Sequence, residues 1–195
     1  MANLKRTRED ILQAVIGTVH RQGLVATSLN ELFAASGASS GSFYNYFSSK
    51  HDLGHALIDY EWELLNASVL EPALRSSEDP IEQVLNMVNQ LEAKNLEQPH
   101  CGGCLLGNLV VDLVEQDPSF REHLTLIFDR WEQTIAQTLR QAEDRLADRD
   151  IEGLAEQILN TVEGTLLMGR LHDDPNRIKR GFAAARDLIH QAIKS

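Results

Sequence analysis

Apolar residues recur at spacings of three and four along almost the whole chain, and no stretch alternates apolar with polar residues long enough to form a strand. That periodicity restricts the chain to an all-α fold, because a helical stripe drawn out as a strand would scatter its apolar residues over both faces. The chain has 195 residues and is 43% hydrophobic, enough for one large domain or two small ones with a buried core. Five prolines and twelve glycines argue against low-complexity or fibrous sequence.

The first helix is expected over about residues 7–21, with Ile11, Val15 and Val19 spaced by four and Leu12 and Ile16 widening the stripe. Gly23 stands just past its end. Ser28-Leu29-Asn30-Glu31 reads as a capping box opening a short second helix, with Leu29, Leu32 and Phe33 inward and Ser36-Gly37 as its stop. A third short helix fits residues 39–45. A longer helix begins near Lys50 and is expected to end at Glu71-Pro72. Asp79-Pro80 and Asp117-Pro118 each read as an N-cap followed by proline. The first opens a helix bearing Ile81, Val84, Leu85, Val88 and Leu91, expected to reach Gln98-Pro99. The second opens one whose stripe is Phe120, Leu124, Ile127, Trp131, Ile135, Leu139 and Leu146. Between them, His100-Cys101-Gly102-Gly103-Cys104 forms a joint before a shorter helix to about Glu115. Two more helices follow a charged joint at residues 148–150, over about 151–171 and 176–192. In the last, Ile178, Phe182, Ala185, Ile189 and Ala192 make a narrow seam for packing, in the core or against a second copy.

The net charge is −11 and uneven. Residues 1–50 hold five cations (Lys5, Arg6, Arg8, Arg21, Lys50) against three anions (Glu9, Asp10, Glu31), a net of +2 that leaves −13 on the remainder. An acidic chain is a poor general binder of nucleic acid or anionic membrane, so the end that escapes the acidity is the end suited to a polyanion. At that end, two short helices joined by a turn containing Gly37 have helix-turn-helix spacing. In such a pair the second helix enters the major groove and the first crosses the backbone. The expected reading helix is Ser39-Ser40-Gly41-Ser42-Phe43-Tyr44-Asn45, whose outward side chains are small or hydrogen-bonding, with Phe43 and Phe47 in the core beneath. Thr27 and Ser28 at a helix N-terminus, Tyr46 after the reading helix and Lys50 at the start of the next are the expected phosphate clamps.

The string from Thr27 to Leu53, with Gly37, Gly41, Phe43, Tyr44, Tyr46, Phe47 and Lys50 in place, closely resembles the DNA-binding segment of the TetR family of bacterial repressors. The strong match covers about residues 7–57. The family usually carries Lys or Arg where this chain has Ser40, which removes one phosphate contact. The resemblance implies a homodimer whose subunits each have a helix-turn-helix DNA-binding head (residues 1–52) and a helical regulatory body (residues 53–195). It implies a small-molecule pocket in the body and dimerisation through the last two helices. A twofold pair of heads implies a near-palindromic operator in double-stranded DNA, released by an inducer.

Outside the head, Cys104 is the residue most suggestive of chemistry. It follows two glycines at the start of an apolar helix, where the helix dipole lowers a thiol pKa and raises its reactivity. A protonated His100 would add to this effect, and Cys101 stands at CxxC spacing. The opposing reading is that Cys104 is a small buried hydrophobe, the usual condition of a free cysteine. The string Gly103-Cys104-Leu105-Leu106-Gly107-Asn108-Leu109, with Asp117-Pro118 beyond it, resembles a TetR subgroup of NemR-like repressors. Those respond to electrophiles, reactive aldehydes or oxidants through cysteine, and of their features only Cys104 is carried over. The rival is a non-covalent apolar ligand between body helices, with Trp62, Met87, Asn108, Phe128, Trp131 and Met168 as candidate sensor residues. A helical thiol redox protein is the remotest alternative, because the CxxC lacks a βαβ context.

No enzyme is expected, since the chain has no Gly-rich nucleotide loop, nucleophile elbow or helical metal-ligand pair. His100, Cys101 and Cys104 supply only part of a zinc site, with no second Cys/His pair, so neither metal nor cofactor is expected. No apolar run approaches the roughly 20 residues of a membrane span, and no signal-peptide core follows the first residues. With two cysteines, too few for a disulfide framework, a cytoplasmic protein is expected.

Overall fold

In the computed structural model, which describes residues 6–97, 102–147 and 150–194, the helices begin where side chains satisfy free backbone amides. Thr7 caps α1 (Arg8–Gln22) in a capping box with Asp10, and Ser28 caps α2 (Leu29–Ser36) in one with Glu31. Ser39 caps α3 (Ser40–Tyr44) and Ser49 caps α4 (Lys50–Leu65). Gly37, at φ 63°, makes the left-handed turn between α2 and α3 that a side chain would resist.

The long helix does not stop at Glu71-Pro72. A π-helical turn (Asn66–Leu70) carries α4 into α5 (Glu71–Leu74). The wider turn shifts the backbone ladder, and Pro72 falls in the first turn of α5, where a missing N–H costs nothing. Asp79 then caps α6 (Pro80–Leu96), Cys104 caps α7 (Leu105–Leu113) and Asp117 caps α8 (Pro118–Arg140). After a short 3-10 turn (Glu143–Arg145) come α9 (Ile151–His172) and α10 (Pro175–Ala192), capped by Asp150 and Asp174. Leu146 is not part of the α8 stripe. It lies beyond the helix in an isolated antiparallel bridge with Ile193, which ties the α8–α9 connection to the C-terminal end of α10.

α1, α2, α3 and the start of α4 surround Leu12, Val15, Leu32, Phe43, Phe47 and Leu53, all 0–1% exposed. Phe33, Phe43 and Phe47 meet at centroid distances of 5.2 Å and hold α3 against α2. The division between residues 52 and 53 falls inside α4, so one unbroken helix leaves this head and packs on α7 and α8 of the body. In the body, α9 packs on α8 and α10, and α10 on α6. The seam Ile178, Phe182, Ala185 and Ile189 is spent on this internal core, each residue 0% exposed. Gly169 lets α9 and α10 cross closely, since a Cβ there would lie 2.6 Å from Ile178. No described helix is long and apolar enough to cross a membrane.

Candidate functional site

The surface of α3 is built by local hydrogen bonds. The Ser39 hydroxyl accepts from the Ser42 amide at 3.1 Å and fixes the start of the helix. Phe43 faces the core, which turns Ser39, Ser40, Gly41, Tyr44 and Asn45 outward; Ser42 and Tyr46 are half-buried. Gly41 meets nothing within 4 Å of where a Cβ would stand, so the helix presents bare backbone there. Tyr44 is 46% exposed, braced edge-on by Phe33 and Phe43. Ser28 is exposed at the start of α2, its hydroxyl engaged with Glu31. The Lys50 ammonium donates to the Val25 carbonyl at 2.8 Å, which leaves two of its three donors.

Thr27 does not belong with these residues. It is 0% exposed, and its hydroxyl donates to the Gly23 carbonyl at 2.5 Å while accepting from Gln22. It closes the α1–α2 turn from inside and offers a phosphate no side-chain atom. A residue not singled out as a clamp from the sequence borders the turn before the reading helix: the Arg6 guanidinium lies against Gly37 in the α2–α3 turn.

The head is fastened to the body by backbone groups. The Asp112 carboxylate on α7 accepts from the amides of Leu24 and Val25 at 2.6 and 3.0 Å. Arg170 on α9 donates to the Arg21 carbonyl at 3.0 Å. A chain of imidazoles joins α4 to α8. His55 Nδ1 meets His123 Nδ1 at 2.8 Å, His123 Nε2 meets Asp59 at 2.8 Å, and His51 and His55 both reach Ser119 Oγ at 3.1 Å. Burial, with His123 and His51 alongside, lowers the pKa of His55.

Two adjoining cavities open in the body. The larger, of about 590 Å³, lies among α7, α8 and α9. Cys104, Asn108 and Phe128 from the sequence reading line it, together with Glu163, which that reading missed. The smaller, of about 230 Å³, reaches α1 through Ile16 and His20 and is lined by Trp131. Cys104 forms part of both walls. Trp131 Nε1, His20 Nε2 and Glu163 Oε1 are buried without a hydrogen-bond partner among the described residues. Asn108 donates to the Gly102 carbonyl at 3.2 Å and so helps hold the turn before α7.

Three candidates lie elsewhere. Met87 is 1% exposed and packs in the core, lining neither cavity. Trp62 lies at the core's edge, 6.5 Å from the Trp131 ring, and Met168 is 40% exposed on the outer face of α9. Their helical spacing marked a packing surface, and spacing alone does not distinguish packing from a ligand wall. His100 and Cys101 lie outside the described residues.

The surroundings of Cys104 work against the activation that its place at a helix start would favour. The Gly107 amide does donate to Sγ, at 3.5 Å, as the helix start predicts. Burial and the Glu163 carboxyl beside it outweigh that contact and push the thiol well above its ordinary range. Burial likewise raises Glu163 to about 7. Glu163 had a signal in the sequence: it sits four residues after Leu159 and three before Leu166, on the flank of a buried stripe.

The family model for tetracyclin repressor-like C-terminal domains matches residues 80–185, and that for bacterial regulatory proteins of the tetR family matches residues 11–57. An uncharacterised HTH-type transcriptional regulator in the lacX 3′ region of Lactococcus lactis subsp. lactis is 28% identical over 180 residues, 92% of this chain and 91% of that protein. The crystal structure of a TetR-family transcriptional regulator from Cytophaga hutchinsonii superposes with a TM-score of 0.83 at 23% identity, over 97% of this chain and 96% of that one. Reduced NemR from E. coli superposes with a TM-score of 0.80 at 19% identity, over 97% and 98% of the two chains, which shows a shared fold. The chain belongs to the TetR family of bacterial transcriptional regulators, with a DNA-binding helix-turn-helix at its N-terminal end and a helical body behind it.

Proposed function

We propose that the protein is a homodimeric repressor whose grip on a near-palindromic operator is released when a small molecule enters the larger cavity. In this reading α3 lies in the major groove. Ser39, Ser40, Gly41, Ser42, Tyr44 and Asn45 face the duplex, and Ser28, Tyr46, Lys50 and Arg6 flank them toward phosphates. The last two helices pair the subunits. Leu167, Met168 and Leu171 support this, being apolar and 48%, 40% and 70% exposed on α9 after the α10 seam has been spent internally.

The observation that carries the regulatory reading is the position of α7. Its capping residue Cys104 and first turn line the cavity, and Asp112 near its other end holds two amides of the head. A ligand that displaces this nine-residue helix therefore acts directly on the head's attachment. Thiol modification of Cys104 by electrophiles, aldehydes or oxidants is the second reading. It is the weaker one because burial and the Glu163 carboxyl beside Cys104 disfavour the thiolate.

The test is a gel shift against the promoter beside the protein's own gene, with and without ligand. Wild-type dimer should retain the fragment, and Asp112→Ala should make retention insensitive to a ligand that releases the wild type. A monomer that retains no genomic fragment even at low salt sinks the reading. Release by thiol-reactive compounds in wild type but not in Cys104→Ser would return the covalent reading to first place.

A further inference from the structure

The larger cavity presents charges almost entirely of one sign. Its lining holds four carboxylates, Asp129, Glu132, Glu156 and Glu163, and one cation, Arg121. Arg121 is already engaged, its guanidinium 2.5 Å from Glu115. Among the described residues, none of the four carboxylates has a Lys, Arg or His within salt-bridge distance. Glu163 is the most exceptional of them. Its Oε1 is buried with no hydrogen-bond partner among the described residues. The wall opposite is cut away to admit it, since a Cβ on Gly107 would collide with Glu163 Oε2. Glu132 is raised by burial and by the like charges of Glu156 and Asp129, so the rim carries electrostatic strain that a bound cation would relieve.

The rest of the wall is apolar, with Val110, Val114, Leu124 and Leu159 around the Phe128 ring. We propose that the effector is a small amphipathic cation, an amine or ammonium on an apolar body, with its charge against Glu163 and its body along Phe128 and the α7 valines. The proposal rests on the effector reading above and specifies its ligand.

Three effects favour this class over its rivals. A cation gives the buried Glu163 oxygen the partner it lacks, whereas a neutral apolar molecule would leave it unpaired. The Phe128 ring and the α7 valines give the ligand's apolar body a surface on which to bury itself, which a bare inorganic cation would not use. An anion would have to shed water beside four like charges, inside a protein whose net charge of −11 already repels it. The consequence for DNA follows from the same contacts. A cation that draws Glu163 toward itself moves a carboxyl that shares the cavity wall with Cys104, the residue that caps α7, the helix whose far end holds the head.

The test is calorimetric titration of the full-length dimer with phenylbutylamine, phenylbutanol and phenylbutyrate, near pH 8 and near pH 6, with an operator gel shift on the same preparation. The amine should bind about tenfold tighter than the alcohol near pH 8, with Glu163 ionised, and within about twofold near pH 6, with it protonated. The carboxylate should not saturate. Glu163→Gln should remove the pH dependence. Glu132→Gln, at the rim, should weaken only the amine and by less, which keeps the test decisive if Glu163→Gln does not fold. Near pH 8, equal or tighter binding of the alcohol or the carboxylate overturns the proposal. So does failure of all three probes, the result expected if the partner chain fills the cavity. Intact operator binding in those cases leaves the regulator reading standing, while loss of operator binding by unliganded dimer overturns that reading alone.

Discussion

The head and the body treat their polar groups in different ways. In the head, Ser28, Ser39 and Ser49 each accept from an amide three residues along, and Ser40 and Tyr44 of α3 are exposed. The body caps its helices in the same way, but it adds polar groups that find partners far along the chain or none among the described residues. Asp112 reaches amides up to 88 residues away and His123 reaches Asp59 across 64, while Trp131 Nε1 and Glu163 Oε1 reach none among the described residues. A surface satisfied by its own helix caps keeps its shape without a partner, which suits recognition of a stiff duplex. A cavity with unpaired polar atoms is completed by what binds it, which suits a sensor.

The sharpest test of the head sets two adjacent rings against each other. Phe43→Ala should cost about 3–5 kcal/mol of stability in chemical denaturation, because a 0% exposed ring leaves a hole beneath α3. Its neighbour Tyr44→Ala should leave stability within about 0.5 kcal/mol and lower operator affinity by about tenfold. If Tyr44→Ala unfolded the head and left DNA binding alone, the outward face of α3 would be misassigned.

For the body, the next largest effect is a gain. Glu163 has a folded pKa of about 7 against an ordinary 4.5, so the folded protein holds its proton more tightly than the unfolded chain does. Its contribution to stability is therefore full below about pH 4.5 and lost as the pH rises through 7. Glu163→Gln should stabilise the protein by about 3 kcal/mol near pH 8 and hardly at all near pH 4.5, read from denaturant midpoints. A uniform effect at both pH values would mean that the side chain is hydrated and the cavity wall open.

A smaller change is expected where the two regions meet. Asp112→Ala leaves the Leu24 and Val25 amides without an acceptor and should cost about 1–2 kcal/mol. The smallest is the slope of stability with pH at the imidazole chain. The Nδ1 atoms of His55 and His123 face each other at 2.8 Å, a hydrogen bond that needs one N–H and one bare ring nitrogen. The folded pKa of His55 is lowered, so its contribution is present above about 6.5 and lost as the pH falls below that. Glu163 and His55 thus oppose each other in mildly acidic solution. His55→Gln should give a flatter acid-side profile of melting temperature than wild type, whereas Glu163→Gln should give a steeper one.

The legible parts were those governed by contacts between near neighbours along the chain. The Ser28–Glu31 box, the proline starts at Asp79 and Asp117, the turn at Gly37 and the inward-facing Phe43 all follow from chemistry within a few residues. Pro72 shows where such reasoning reaches its limit. It stops a regular helix, but a π-turn that packs Val69 and Leu70 into the core lets the chain pass. Met87, Met168 and Trp131 have equal claims on a pocket by spacing, and only the packing separates core, surface and cavity wall.

The amino-acid order alone determined where the helices begin, which short helix faces outward and which rings lie beneath it, because capping and periodicity act over three or four residues. The tertiary structure decided that Thr27 turns inside, that the surroundings of Cys104 push its thiol pKa up rather than down, and that Glu163 Oε1 has no hydrogen-bond partner among the described residues. Those outcomes depend on desolvation and on charges carried in by other helices, and both are properties of the assembled core.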